Sequence, residues 1–287
     1  GRPVRRSAVC GRARRLGDRT DMNSNLWKFV YASIIGSTHR NRQEPCQDAS
    51  IVRQVSLGGR SYLIACCSDG AGTAYLAAQG AERACQSLVQ RASKRLRDGK
   101  RLESISRDDV AGWIDGINSE LAELAMERHA QTREAACTLL AAIVGPQQGL
   151  FIQIGDGAII LNQETGHGYD VVFWPQMGEY AGTTNFVTDS NSSTAFVFQW
   201  LNRPIRRVAM FTDGLQMLGL DFTRNCPHGP FFDPLFQTLE KSEDQDKLQQ
   251  PFEDFLASEQ VNARTDDDRT LIIAVRPDVP EADAEGE

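Results

Sequence analysis

Several short apolar segments of this sequence end abruptly in an aspartate and a glycine. The segment "LIACCSDGAG" (63–72) is typical of a buried strand that delivers Asp69 to a turn with almost no side chains. The same form returns in "RVAMFTDGL" (207–215) and in "GLFIQIGDGA" (149–158). Asp-Gly is also the commonest turn dipeptide, so one copy alone indicates only a turn. The repetition restricts the fold further, because each copy places an acidic side chain at the end of a buried strand.

Apolar segments joined by short turns make up much of the chain. The pattern predicts helices at 76–97, 108–129 and 231–259. Because the helices are not placed one after each strand, a regular alternating α/β fold is excluded. Antiparallel sheets with helices packed outside are favoured, so we expect an α+β fold in one domain, residues 25–277. The predicted strands cover 27–37, 48–55, 60–67, 137–144, 149–155, 158–163, 169–174, 185–189, 194–200, 207–213 and 270–276.

The composition is that of an ordinary globular protein with a sizeable core, since 41% of the 287 residues are hydrophobic and 24% are charged. No apolar run approaches the roughly 18–20 residues of a membrane helix, so no membrane partner is expected. The first residues are basic but no apolar stretch follows them, as a secretory signal would require. The seven cysteines show no C-x-x-C spacing and predict packed, reduced thiols, which favours a cytoplasmic location.

The charge is unevenly distributed along the chain. Residues 1–21 hold seven arginines and two aspartates, whereas the whole chain has a net charge of −7. The remaining body is therefore strongly acidic, which argues against a groove for nucleic acid. We expect residues 1–24 to be a basic, disordered leader and residues 278–287 to be an acidic, disordered tail. The sequence gives no indication of the oligomeric state.

The aspartates at strand ends form a candidate metal site. Strand ends can bring several side chains to one rim of a pair of sheets, and converging carboxylates repel one another unless protons or cations neutralise them. An all-oxygen set suits hard cations such as Mg²⁺ or Mn²⁺. Each Asp-Gly pair taken alone remains a plain turn, and "GDGA" in particular is a good hairpin turn. Several such pairs together favour the metal site.

Six short motifs in one order carry a resemblance to a known family. They are "PCQDAS", "CCSDGAG", "ACTLLAAIV", "QIGDGAII", "MFTDGL" and "DDRTLIIAV", spread over about residues 30–276. In this order they resemble the type-2C metal-dependent protein phosphatases (PPM family), and the "SDGAG" element resembles the bacterial branch. The resemblance implies a four-layer α-β-β-α sandwich with two antiparallel sheets and flanking helix hairpins. It also implies two core Mn²⁺ or Mg²⁺ ions that hydrolyse phosphoserine or phosphothreonine in phosphoproteins through a metal-bridging hydroxide.

The same resemblance implies a role for individual residues. Asp69 matches the metal-bridging carboxylate, and Asp156 matches the aspartate associated with a third, weaker metal. Gln47 stands where the family has a glutamate, and Thr138 matches a structural threonine. The residues that match the core metal ligands are Asp48, Asp69, the carbonyl of Gly70, Asp213 and Asp267.

Two departures from the family leave questions open. Ala71 occupies the position of a histidine that is a candidate general acid in eukaryotic members, and the phosphate-binding arginine has no clean counterpart. His39 and Arg40, in the polar loop after the first strand, are the candidate phosphate contacts. Residues 174–190 are either a connecting loop or a flap that shapes access of a protein substrate.

Two other classes of protein are alternatives to an active phosphatase. The paired Ser/Thr-Asp-Gly elements at 68–70 and 212–214 are similar to those of aspartic proteases, but such proteases need Ser or Thr immediately after each catalytic Asp, whereas Gly follows here, and the additional aspartates would be unexplained. A pseudophosphatase or a regulatory binding module that retains metal is the main alternative, because Gln47 and Ala71 depart from the eukaryotic pattern. The physiological substrate is open, and a soluble phosphorylated metabolite is an alternative to a phosphoprotein.

Overall fold

Two five-stranded antiparallel sheets form the centre of the structure, a computed structural model that describes residues 26–99, 101–165, 168–176 and 184–277. One sheet has the strand order β1-β12-β9-β6-β7 and the other β2-β3-β4-β5-β8, while β10 and β11 form a separate pair. The strands are β1 (Lys28–Ile34), β2 (Ala49–Leu57), β3 (Arg60–Ser68), β4 (Leu139–Val144), β5 (Gly149–Ile154), β6 (Ala158–Asn162), β7 (Tyr169–Val171), β8 (Val197–Leu201), β9 (Arg207–Phe211), β10 (Leu220–Asp221), β11 (Cys226–Pro227) and β12 (Arg269–Val275).

Helices cover the outer face of each sheet. Two long helices pack on the β2-containing sheet, and two shorter ones pack on the β1-containing sheet. The first pair is α2 and α3, and the second is α6 and α7. The helices are α1 (Ser37–Arg42), α2 (Ala77–Arg97), α3 (Arg107–Glu127), α4 (Ser192–Ala195), α5 (Gln216–Gly219), α6 (Gly229–Lys241), α7 (Gln249–Leu256) and α8 (Glu259–Asn262).

Three apolar cores separate the four layers, and β3 shows how the sequence creates them. Successive strand side chains point to opposite faces. Leu63 and Cys67 accordingly pack in the core between the sheets, whereas Ile64 and Cys66 pack against the helices on the other side. Burial raises the pKa of both thiols, as expected for packed, reduced cysteines. The predicted α+β fold, an α-β-β-α sandwich with two antiparallel sheets, is confirmed.

Three predicted elements differ from the structure. Residues 185–189 form turns rather than a strand, because the Asp189 carboxylate accepts a hydrogen bond from the Phe186 N–H (2.8 Å) and the Asn118 side chain binds the Val187 carbonyl (2.8 Å). The helix predicted at 231–259 is interrupted between α6 and α7, where the Asp244 side chain caps a new turn at Asp246. The polar loop after β1 contains the short helix α1.

The predicted leader, residues 1–24, and the predicted tail, residues 278–287, lie outside the described residues, and so do residues 177–183 of the predicted flap. Within the described ranges, no helix combines the length and the apolar character needed to cross a membrane.

Candidate metal centre

Asp69 stands directly after β3, where the strand ends against the start of β4. Its backbone N–H donates to Thr138 Oγ1 (2.9 Å), and its carbonyl accepts from the Thr138 N–H (2.8 Å). Gly70 follows in a close approach to α2, since a Cβ at this position would lie 2.6 Å from the Ala77 carbonyl oxygen. The sequence Asp-Gly is therefore needed here for packing as well as for any ligand role.

Asp156 occupies the turn that carries the chain from one sheet to the other. It lies between β5 of the β2-containing sheet and β6 of the β1-containing sheet. Gly155 has φ +106°, and a Cβ there would lie 2.5 Å from Thr138 Cγ2, so only glycine fits this position. Asp156 Oδ2 accepts from Thr184 Oγ1 (2.6 Å), whereas the buried Oδ1 has no hydrogen-bond partner among the described residues.

Asp48 and Asp213 are joined through a threonine that precedes Asp213. Thr212 Oγ1 donates to Asp48 Oδ2 (2.7 Å) and accepts from the Thr270 N–H (3.0 Å), which links the entry of β2 to β9 and β12. Asp48 is only 2% exposed, and its Oδ1 has no hydrogen-bond partner in the described part of the chain. Asp267 lies at the entry of β12 and its Oδ1 accepts from the Asp268 N–H (2.8 Å).

The strand-end aspartates converge at one edge of the sandwich. Asp69, Asp156 and Asp213 each offer a carboxylate oxygen within 4.8 Å of the other two. Burial raises the pKa of Asp69 well above its usual value, and Asp48 and Asp213 add to the rise through their charges. Burial raises the pKa of Asp213 to about 7, with Asp156 and Asp267 as the next causes. Asp48 follows the same pattern, since burial and then Asp268 hold its pKa well above the usual value.

These carboxylates fit divalent cations. Their shared repulsion is unfavourable unless positive charge lies between them, and one buried carboxylate oxygen each of Asp48 and Asp156 has no hydrogen-bond partner among the described residues. The donors around the cluster are oxygens, which suit Mg²⁺ and Mn²⁺ better than softer metals. The arrangement can therefore hold cations that bind and polarise an oxyanion such as a phosphate ester.

Asp268, which with Asp267 enters the last strand, has a structural role that the sequence did not indicate. Its Oδ1 accepts from the Gly36 N–H and its Oδ2 from the Gln47 N–H, both at 2.6 Å. His39 Nδ1 lies 2.9 Å from Asp268 Oδ2. Asp268 thus fixes the segment between β1 and β2 that leads into Asp48.

The structure places the two candidate phosphate contacts in different environments. His39 lies on α1, is only 5% exposed and faces Asp268. Arg40 is exposed, and its guanidinium donates to the Ile35 carbonyl (3.2 Å). The role of either residue in phosphate binding stays a prediction. The Gln47 Oε1, at the position where the family has a glutamate, is buried without a hydrogen-bond partner among the described residues.

Three further polar residues hold the Asp156 turn, namely Gln176, Thr184 and Gln216. The Gln176 side chain accepts from the Gly155 N–H (2.9 Å), and the Gln216 side chain donates to the Asp156 carbonyl (2.6 Å). Thr184 contacts the carboxylate itself. Gln176 and Thr184 lie within the segment 174–190 that was predicted to be a loop or a flap.

Comparison with known proteins agrees with this architecture. Residues 35–257 match the family described as Protein phosphatase 2C. The chain is 34% identical over 254 residues to Serine/threonine-protein phosphatase 3 of Escherichia coli (strain K12), which covers 87% of this chain and 98% of that protein.

Solved structures share the fold at low sequence identity. Serine/threonine phosphatase Stp1 from Staphylococcus aureus superposes with a TM-score of 0.56 at 16% identity, covering 92% of this chain and 98% of that one. The S. agalactiae serine/threonine phosphatase gives a TM-score of 0.57 at 15% identity, covering 87% and 99%. With the family match spanning most of the sandwich and a relative matched over nearly its whole length, the chain belongs to the protein phosphatase 2C family.

Proposed function

We propose that this protein is a metal-dependent phosphatase that hydrolyses phosphoserine and phosphothreonine in protein substrates. The observation that carries the proposal is the convergence of Asp69, Asp156 and Asp213, whose carboxylate oxygens lie within 4.8 Å of one another in a half-buried site and repel each other without cations. Family membership and the similarity to a relative named as a serine/threonine-protein phosphatase support the substrate class.

The proposed core ligands are Asp48, Asp69, the Gly70 carbonyl, Asp213 and Asp267, for two Mn²⁺ or Mg²⁺ ions. Asp156, together with Asp69 and Asp213, is the proposed ligand set of a third, weaker ion. The carboxylate oxygens of these three residues lie within 4.8 Å of one another, which supports this assignment. When bound, such ions supply Lewis-acid polarisation of the phosphoryl group and lower the pKa of water towards neutrality.

The protein's own groups then have separate tasks. Thr212 holds the Asp48 carboxylate in place before substrate arrives, and Thr138 fixes the backbone of Asp69 through its bond to the Asp69 N–H. Arg40 is the better placed of the two candidate phosphate contacts because its side chain is exposed. His39 acts on the site through Asp268. With Ala71 in place of a histidine, the proton required by the departing serine or threonine oxygen comes from water.

The proposal is tested by measuring hydrolysis of a phosphothreonine peptide and of p-nitrophenyl phosphate by the purified chain. Chelation should abolish both activities, and Mn²⁺ or Mg²⁺ should restore them. Asp115→Asn, on the exposed face of α3, serves as the control variant and should behave like the wild type. Full activity after chelation, with a measured metal content near zero, would contradict the metal centre. Restored p-nitrophenyl phosphate hydrolysis without peptide hydrolysis would contradict the proposed substrate class.

A further inference from the structure

The Asp156 turn is held by residues on both sides of segment 177–183. On the N-terminal side, the Gln176 N–H donates to the Gly155 carbonyl (3.3 Å), and the Gln176 Oε1 accepts from the Gly155 N–H (2.9 Å). On the C-terminal side, Thr184 Oγ1 donates to Asp156 Oδ2 (2.6 Å). Both described ends of this part of the chain therefore bind the same two-residue turn.

Other contacts already fix the backbone of the turn. Gln153 Nε2 donates to the Gly155 carbonyl (3.0 Å), and Gln216 Nε2 donates to the Asp156 carbonyl (2.6 Å). Thr138 packs against Gly155. Among these partners, Thr184 is the one that bonds to the Asp156 carboxylate, so its hydroxyl controls the rotation of that group and not the path of the backbone.

This bond leaves a defined oxygen for a cation. Asp156 Oδ2 is occupied by the Thr184 hydroxyl, whereas the buried Oδ1 is unpartnered among the described residues and belongs to a carboxylate close to Asp69 and Asp213. A carboxylate held in one orientation loses less conformational freedom on binding a ligand than one that can rotate. Partners that orient metal-binding groups commonly change metal affinity by 10–100-fold when removed.

We propose that Thr184 is a positioning residue for the cation site that Asp156 forms with Asp69 and Asp213. The inference rests on the proposed metal centre and goes beyond it, because it assigns the affinity of one cation site to a hydroxyl that does not itself bind the cation. It also connects the segment 174–190 to the metal centre through a single hydrogen bond.

The test is a Mn²⁺ titration by calorimetry, with no substrate present, on the wild type, Thr184→Val, Thr184→Ser and Asp156→Ala. Thr184→Val keeps the shape of the side chain and removes the hydroxyl, whereas Thr184→Ser keeps the hydroxyl. We expect Asp156-dependent Mn²⁺ binding to weaken about tenfold in Thr184→Val, as for the loss of one hydrogen bond to a charged group. Thr184→Ser should restore it, and the other Mn²⁺ affinities should change less than about twofold.

A double variant separates positioning from general structural damage. In the Asp156→Ala background, Thr184→Val should have no further effect on Mn²⁺ binding, and the exposed Thr223→Val should match the wild type in all titrations. Unchanged or tighter Mn²⁺ binding in Thr184→Val would overturn the inference while leaving the metal centre intact. An equal loss in Thr184→Ser, or an equal loss in the Asp156→Ala background, would also overturn it. A wild-type protein that binds no Mn²⁺ would refute the metal centre itself.

Discussion

Replacing Asp213 by asparagine should stabilise the metal-free protein. The Asp213 carboxyl is half-buried beside Asp156 and Asp267, and its pKa is raised from 3.8 to about 7. The folded state therefore holds this proton more tightly than the unfolded state does. Stability falls as the pH rises from about 4 through about 7, and the loss remains at higher pH. Asparagine has a similar shape and removes the charge, and its Oδ1 can still accept the hydrogen bond from the Gly214 backbone.

The size of the effect follows from the shift in pKa. A difference of one pKa unit corresponds to about 1.36 kcal/mol, so the rise from 3.8 to about 7 corresponds to about 4 kcal/mol at pH 8. Neighbouring carboxylates share part of this repulsion and adjust when one charge is removed, which reduces the expected gain to roughly 2–4 kcal/mol. At pH 4.5, close to the pKa of the unfolded state, the gain should fall to about 1 kcal/mol or less.

The assay is thermal and urea unfolding in the presence of chelator, at pH 8 and at pH 4.5. For a domain of this size the gain at pH 8 corresponds to a rise in Tm of roughly 10 °C. The control variant Asp115→Asn, at an exposed position, should change the stability at neither pH. With saturating Mn²⁺ the wild type should be more stable than the variant. Cations that bind only the folded state stabilise it, and the variant lacks one of the carboxylates proposed to bind them. A variant no more stable than the wild type at pH 8, or a gain that does not depend on pH, would refute the reasoning.

Four further predictions concern activity. Asp69→Ala should lower peptide hydrolysis by several orders of magnitude while the protein stays folded, and calorimetry showing two Mn²⁺ bound as tightly as in the wild type would contradict the ligand assignment. Arg40→Ala should raise KM for the phosphopeptide and p-nitrophenyl phosphate alike, as expected for a phosphate contact, whereas a loss confined to the peptide would contradict that role. His39→Gln should also affect both substrates alike, and a much larger loss with phosphothreonine would instead identify His39 as the general acid. Shortening residues 177–183 should impair peptide hydrolysis far more than p-nitrophenyl phosphate hydrolysis, and an equal loss would favour a plain connecting loop.

Strand positions and the convergence of aspartates could be predicted because both depend on local pattern. The apolar run of β3, which is buried without interruption from Leu63 to Ser68, is visible in the sequence, and so is the abrupt change from apolar residues to Asp69 and Gly70. In antiparallel sheets the end of one strand lies beside the start of the next, so Asp69 had to meet the beginning of β4. The same reasoning places Asp213, at the end of β9, beside the entry of β12.

Side-chain partners across the fold could not be predicted in this way. Asp268 and His39 are more than two hundred residues apart, and nothing local marks Asp268 rather than Asp267 as the residue that holds the segment before Asp48. The segment around Val187 was predicted to be a strand. It forms turns instead, because the Asn118 side chain donates to the Val187 carbonyl and the Asp189 carboxylate accepts from the Phe186 N–H. These outcomes depend on which side chain reaches a given backbone N–H or carbonyl, which local periodicity does not encode.

The position of the carboxylates between the two sheets gives cations a structural role as well as a chemical one. Asp69 follows a strand of the β2-containing sheet, Asp213 follows a strand of the β1-containing sheet, and Asp156 lies in the turn between them. Without cations, the mutual repulsion of these groups acts across the edge where the two sheets meet. The hydrogen bond from Thr212, after β9, to Asp48, before β2, connects the sheets at the same edge. Cations bound there would replace repulsion by shared ligands from both sheets. The same ions that activate the substrate would then hold the catalytic edge of the sandwich together, so metal affinity and the stability of this edge are linked.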